Sequence, residues 1–264
     1  MELLSSIFTL STAQTALELG CVYALVALAL FLSYSILNIA DLSTDGCFTL
    51  GCAVCCQVTL MGHPFLGLLA AMAAGVLSGY ITAFLQTRLG VESILAGIIV
   101  NTGLYTVNLM AMGFSSTLSV FKCDTIFSLA KSALSGVLGG ALAGWSKLLV
   151  AAVIALTVAL LLTWFLKTRL GLSIRATGDS PDMIRASSVN PAFTITVGLC
   201  ISGSLTALSG AVLAQYQKSC DINVGTGMVT IALASLIIGE TLVGKGGLLR
   251  RALGAILGSC LYRL

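Results

Sequence analysis

Long apolar runs, broken at short intervals by a few polar or basic residues, constrain this chain more than any other feature. They cover residues 17–37, 47–62, 65–86, 94–114, 147–166, 192–215 and 228–243, and an eighth opens at Ala252 and reaches Leu264. A helix needs about 20 mostly apolar residues to cross the ~30 Å hydrocarbon core of a bilayer. Most of these runs come near that length, so lipid is the solvent they suit. The charge inventory agrees: 9% of residues are charged and 58% apolar, against roughly 25% charged in a soluble chain. The expected fold is all-α, a polytopic membrane protein with about eight transmembrane or re-entrant helices in one domain over residues 1–264. A net charge of +3 is too small to argue for nucleic acid.

The last run is short. Over residues 252–264, a rise of ~1.5 Å per residue gives only about 20 Å, so this helix either enters partway or, as we expect, continues in a longer natural chain. Residues 1–16 carry too many Ser and Thr for a span and lack the basic start of a signal peptide, so an interfacial helix is expected there. Sidedness follows the positive charges. Arg88, Lys167, Arg169, Arg175, Arg185, Lys245, Arg250 and Arg251 cluster in short loops on one side, and Lys122, Lys131, Lys147 and Lys218 fall on the other. The first set is expected in the cytoplasm, and alternation then places the N-terminus outside. Residues 85–90 (LQTRLG) return as 166–171 (LKTRLG). In both, Gly90 and Gly171 suit the left-handed turn that closes a helix. The echo marks either a shared helix stop or a diverged duplication.

Polar residues inside apolar runs are costly and therefore informative. The densest group is 38–46, with Asn38, Asp41, Ser43, Thr44 and Asp45 beside the short run 47–62. It reads either as a watered loop whose Asp41 or Asp45 caps the next helix, or as a break that lines a pathway. Asn101 and Asn108 lie two turns apart on one face, where bonds to a neighbouring helix are the leading role. Glu240, near the end of its run, has no partner on its own helical face and could pair with Lys245. Cys52, Cys55 and Cys56 share a face but lack the further ligands of a metal site, so no metal is expected and they read as packing. Cys123 and Cys220 fall in outer loops and could form a disulfide. Small residues at 67, 70, 71, 74, 75, 78 and 79, and glycines at 136, 140 and 144, mark faces for close helix contact. The stretch 132–144 is too short to span and reads as re-entrant or interfacial.

Residues 167–191 form the longest cytoplasmic segment. Gly178, Asp179 and Ser180 make a turn, Asp179 or Ser180 can cap the next helix, Pro181 suits its first position and Asp182 its positive end. A two-turn helix held in water between spans reads as a docking element. The string from Ile174 to Pro191 resembles the coupling loop of bacterial ABC importer permeases, most closely the branched-chain amino acid, ribose and nucleoside permease family. Residues 38–51, NIADLSTDGCFTLG, are similar to that family's N-terminal signature, especially a branch with a D-L-[ST]-x-D-G core. The resemblance spans about residues 17–264.

The resemblance implies one half of a pore dimer in the bacterial inner membrane, as a homodimer or with a paired permease. It also implies two ATPase subunits below, holding ATP and Mg, and a solute-binding protein outside. Arg175, Gly178, Asp179, Pro181, Asp182 and Arg185 would then couple to the ATPase. Asn38, Asp41, Ser43, Thr44, Asp45, Asn101 and Glu240 would line the pathway. The solute would be small and polar, an amino acid by preference.

No phosphate-binding Gly-rich loop with a following Lys-Ser/Thr occurs, so energy must come from a partner. No catalytic residues are assigned. A zinc protease needs two His in a His-Glu-x-x-His pattern, and His63 is the only His; it is expected in an exterior turn, away from serines such as Ser204. An ion-coupled secondary transporter using Asp41, Asp45 and Glu240 is the alternative, and it would need no ATPase at 167–191.

Overall fold

The computed structural model describes residues 10–121, 123–138, 145–186, 189–244 and 246–264. It is helical almost throughout. The elements are α1 (Leu10–Leu30, continued by a π-helical segment Phe31–Ile36), α2 (Thr44–Leu60), α3 (Pro64–Thr87), α4 (Ser93–Ala111), β1 (Thr117–Ser119), α5 (Ile126–Leu138), α6 (Ser146–Leu166), α7 (Arg169–Asp179), α8 (Pro181–Ala186), α9 (Pro191–Gln217), β2 (Ser219–Asp221), α10 (Met228–Val243) and α11 (Leu248–Arg263). Among the described residues, five helices are long and apolar enough to cross a membrane, and α2 and α10 are shorter apolar helices. With α11 they make up the eight expected from the apolar runs. The strands β1 and β2 pair antiparallel, with Leu118 opposite Cys220.

The helix starts follow local chemistry. Pro64 and Pro191 occupy first turns, where a missing N–H costs nothing. The Asn190 side chain accepts from Ala192 N at 3.0 Å, and Thr168 caps α7 by accepting from Gly171 N. Three expectations change here. Residues from Leu10 onward belong to α1 rather than to an interfacial helix, because the apolar face runs on past Ala16 into the bundle; residues 1–9 lie outside the described set. Gly171 does not close a helix. It sits inside α7, where an added Cβ would overlap the backbone of Phe165 and Leu166, whereas Gly90 does take the left-handed conformation at φ 66°. The segment 169–179 is itself a helix, so Asp179 ends α7 and only Ser180 caps α8.

α9 is the central helix and packs against α1, α2 and α3. Its small, hydroxylated face makes this possible. Ser202 Oγ donates to Ala29 O at 3.0 Å and Ser209 Oγ to Val22 O at 2.7 Å, fixing α1 antiparallel to α9. Cys47 Sγ donates to Gly203 O at 3.3 Å and Cys52 Sγ to Gly210 O at 2.9 Å, fixing α2 parallel to α9. The cysteine face of α2 is thus a packing face whose thiols supply weak donors where no water reaches. Gly75 of α3 meets Gly203 so closely that a Cβ on either would overlap the other's carbonyl oxygen. Two halves of the chain share one plan with directions reversed. In each, a long helix (α1 or α9) is followed by a short one (α2 or α10) and a third (α3 or α11) that packs beside the short one. The echo at 85–90 and 166–171 is a different relation, since α3 and α6 end on the same side of the bundle.

All nine cysteines are free. Cys220 meets Cys52 and Cys56, and its thiol is pushed up from the ordinary range, first by the hydrogen bond with Cys52. The stretch expected as re-entrant opens earlier than expected, as the amphipathic helix α5, and 139–144 lie outside the described residues.

Substituting Gly75 by Leu should force α3 and α9 apart. We expect a loss of folded protein at least as large as the about 1–3 kcal/mol of ordinary overpacking, read as a lowered thermal midpoint in detergent; Ala70→Leu, on a less buried position of the same helix, should change it little.

Candidate functional site

The chain reverses between α1 and α2. Asn38 takes the left-handed conformation at φ 58°, which Asn tolerates better than most residues. Asp41 is buried, and its Oδ1 accepts from Ser43 N at 2.9 Å and from Ser43 Oγ at 2.7 Å. Thr44 Oγ1 donates to Asp41 O at 3.0 Å, and Thr82 of α3 donates to Ser43 Oγ at 3.3 Å. Asn38, Asp41, Ser43 and Thr44 hold the reversal together, and none of the four lines the cavity beside Asp45. α2 therefore starts opposite the middle of α9, where Cys47 meets Gly203.

At that depth α2 and α10 meet through their first turns. Asp45, in the first turn of α2, accepts from Gly227 N at 3.0 Å and Val229 N at 2.9 Å. The carboxylate of one broken helix thereby caps the other and answers the positive end of its dipole. Both helices are short for this reason. Each begins inside the bundle, where the unpaired N–H groups of a first turn need an internal acceptor. The close fit extends to Gly225, where a Cβ would overlap Asp45 O.

Beside this junction lies the polar cavity, of about 320 Å³, lined by Asp45, Gly46, Thr49, Asn101, Thr102, Tyr105, Asn108, Ile222, Asn223, Gly225 and Thr226. α2, α4 and the turn before α10 contribute its walls. Of the residues expected along a pathway, the structure brings Asp45 and Asn101 together here. Asn108 joins them. Its Nδ2 donates to Gly46 O at 3.0 Å, the interhelical role expected of it, while its side chain also faces the cavity wall. Thr102, Tyr105, Asn223 and Thr226 were not singled out from sequence. Thr102 and Tyr105 sit on the face of α4 opposite its packing side, which only the helix orientation reveals.

Glu240 lies elsewhere, at the end of the bundle that carries α7. It pairs with Arg251 of α11 at 2.5 Å and accepts from Ser35 Oγ of α1 at 3.0 Å. Arg251 also bonds Ser35 Oγ and stacks over the Phe31 ring, 5.2 Å from its centroid. Among the described residues the partner of Glu240 is thus on the next helix and not on its own; Lys245 lies outside the described residues. That partner was hidden because α10 and α11 double back on each other. Next to this trio, a second cavity of about 180 Å³ is lined by Ser35, Arg175, Asp179, Gly246 and Arg251 among others.

The 169–186 segment sits on the π-helical end of α1. A Cβ on Gly178 would overlap Ile36 O, and Thr177 bonds Thr194 at 2.8 Å. Beyond Ser180, which accepts from Met183 N at 3.5 Å, α8 turns Ile184 inward and leaves Asp182, Met183 and Arg185 exposed. The Arg185–Asp182 pair at 3.5 Å is solvated and contributes little.

A bundle of membrane-length helices, two short helices meeting head to head in its interior, and a polar cavity at their junction define a multi-pass membrane permease. The chain belongs to the branched-chain amino acid transport system permease component family, whose model matches residues 13–264. It is similar to the tyrosine transport system permease protein of Clostridioides difficile, 31% identical over 92% of this chain and 77% of that one. It also resembles uncharacterized protein RP368 of Rickettsia prowazekii, at 32% over 86% and 76%. A third relative is the D-allose transport system permease protein of Escherichia coli, at 30% over 82% and 64%. No solved structure matches it. The protein is a permease component of the ABC importer type, carrying small solutes.

Two outcomes test the junction and the trio. Asp45→Ala should cost about 1 kcal/mol of stability as a lost helix cap, seen as a lower midpoint of thermal unfolding, with Asp45→Asn closer to the parent. Glu240→Gln and Arg251→Gln should each destabilise more than the double variant, because either alone strands the other's charge.

Proposed function

We propose that this chain forms half of the pore of an ATP-driven importer for a small polar solute, by preference an amino acid. It works as a dimer, with two cytoplasmic ATPase subunits that bind ATP and Mg, and with an external solute-binding protein. The observation that carries the reading is the way α7 and α8 are built. Gly178 and Thr177 seat α7 on α1 and α9, so a push on this segment is transmitted to the helices that hold the reversal before α2. Arg175, Asp179, Asp182, Met183 and Arg185 remain outward, a mixed charged and apolar surface of the kind that suits a protein partner. Pro181 starts α8 without needing a donor. The amino acid preference draws support from the tyrosine permease of Clostridioides difficile, while the allose permease shows how wide the solute range of similar chains is.

The ion-coupled alternative needs its carboxylates to converge on a cation. Asp41 is held by Ser43, Asp45 caps α10, and Glu240 pairs with Arg251 at the far end of α10. That arrangement favours the importer.

Solubilised from its native host, the parent chain should bring an ATPase with it. Asp179→Arg, which reverses an exposed charge, and Gly178→Leu, which lifts α7 off Ile36, should each lose it. An absence of ATPase with the parent chain would contradict the importer reading and return attention to Asp41 and Asp45.

A further inference from the structure

We infer that the cavity beside Asp45 holds a recognition point for a protonated amine, with Asn108 Oδ1 and the Asp45 carboxylate as its acceptors. This deepens the permease reading and rests on it. The starting observation is Asn108. It is 2% exposed, its Nδ2 is committed to Gly46 O, and that bond fixes which end of the amide is the oxygen. The Oδ1 left over is buried and has no hydrogen-bond partner among the described residues. Buried acceptors without a donor are uncommon. Asn108 stands among the residues around the cavity with its oxygen covered just beneath the wall, so a ligand supplies the missing donor once that wall shifts slightly.

The sign of the charge then narrows what that ligand is. Asp45 is the one ionisable carboxylate among the described lining residues, and no Lys, Arg or His stands with it. Each of its oxygens accepts a single backbone N–H, and a carboxylate oxygen can accept a second bond. A phosphate or a lone carboxylate entering the cavity finds no cation and meets a negative neighbour. A sugar can use the hydroxyls and amides but gains nothing from the charge. An ammonium group carries three donors and a positive charge, and so matches both acceptors. Thr102, Tyr105 and Thr226 offer hydroxyl donors for whatever polar group the rest of the solute carries. The membrane subunit itself thereby selects for the amine, and selection is not left wholly to an external binding protein.

The test is calorimetric titration of the full chain in lipid nanodiscs with four probes: tyramine, tyrosine, 4-hydroxyphenylpropionate and ribose. Tyramine and tyrosine should bind, and the deaminated acid and ribose should not. Asn108→Leu should weaken amine binding about tenfold or more, the scale of one lost hydrogen bond to a charged group. Asp45→Asn keeps a cap acceptor, removes the negative charge and should also weaken amine binding, which covers the case where the leucine variant fails to fold. Equal binding of the acid or the sugar, no binding of any probe, or amine binding unchanged in Asp45→Asn would overturn the assignment. So would loss of a dimer in Asn108→Leu with amine selectivity intact, since the oxygen would then serve a second copy. Capture of an ATPase without amine preference removes this inference alone, and amine preference without an ATPase removes the importer reading alone.

Discussion

The structure depends on one carboxylate meeting two backbone N–H groups in the interior of an apolar bundle. A helix that starts inside lipid leaves its first N–H groups without partners, a cost that forbids such starts unless protein supplies acceptors. Asp45 supplies them for α10 from the first turn of α2. With that contact made, two short helices can begin in mid-bundle, the chain can reverse on either side of them, and a cavity lined by amide and hydroxyl side chains can form beside them. The buried turn at Asp41 and Ser43, the Gly225 contact and the bond from Asn108 to Gly46 all serve the same junction.

The second organising contact lies at the opposite end of α10. Glu240, Arg251 and Ser35 tie α10, α11 and the end of α1 together, and Gly178 presses α7 against the same end of α1. The proposed docking segment and the helix that leads into the Asp45 reversal are therefore in direct contact. A displacement of α7 has a short mechanical route to the cavity, through α1 and the residues 37–43, without passing through lipid-facing surface.

Much of this architecture was legible in the sequence. The apolar runs located the long helices to within a few residues, except at the start of α1, which opens at Leu10 and not at residue 17, because length and hydropathy largely decide what crosses a bilayer. The short run after Asp45 and the polar cluster before it marked the break, and the small residues of α3 marked its packing face. The features that stayed hidden have physical causes. Asp41 and Asp45 look alike in sequence, yet one closes a local turn and the other caps a helix 182 residues away; only the fold separates a local acceptor from a distant one. Glu240 showed no partner because its cation lies on the next helix, folded back against it. Gly171 matched Gly90 in its local string, but it falls within a new helix, so it was used for contact and not for a turn. Thr102 and Tyr105 gave no signal, since a threonine and a tyrosine in an apolar helix are ordinary until the face they occupy is known.

The most direct test is a cryo-electron microscopy structure of the complex purified from its native host in lipid nanodiscs. We predict two copies whose Asp45 cavities open toward one another, with an ATPase seated on α7 and α8. Cavities turned toward lipid, or an α7–α8 segment left bare while the complex is intact, would contradict that arrangement.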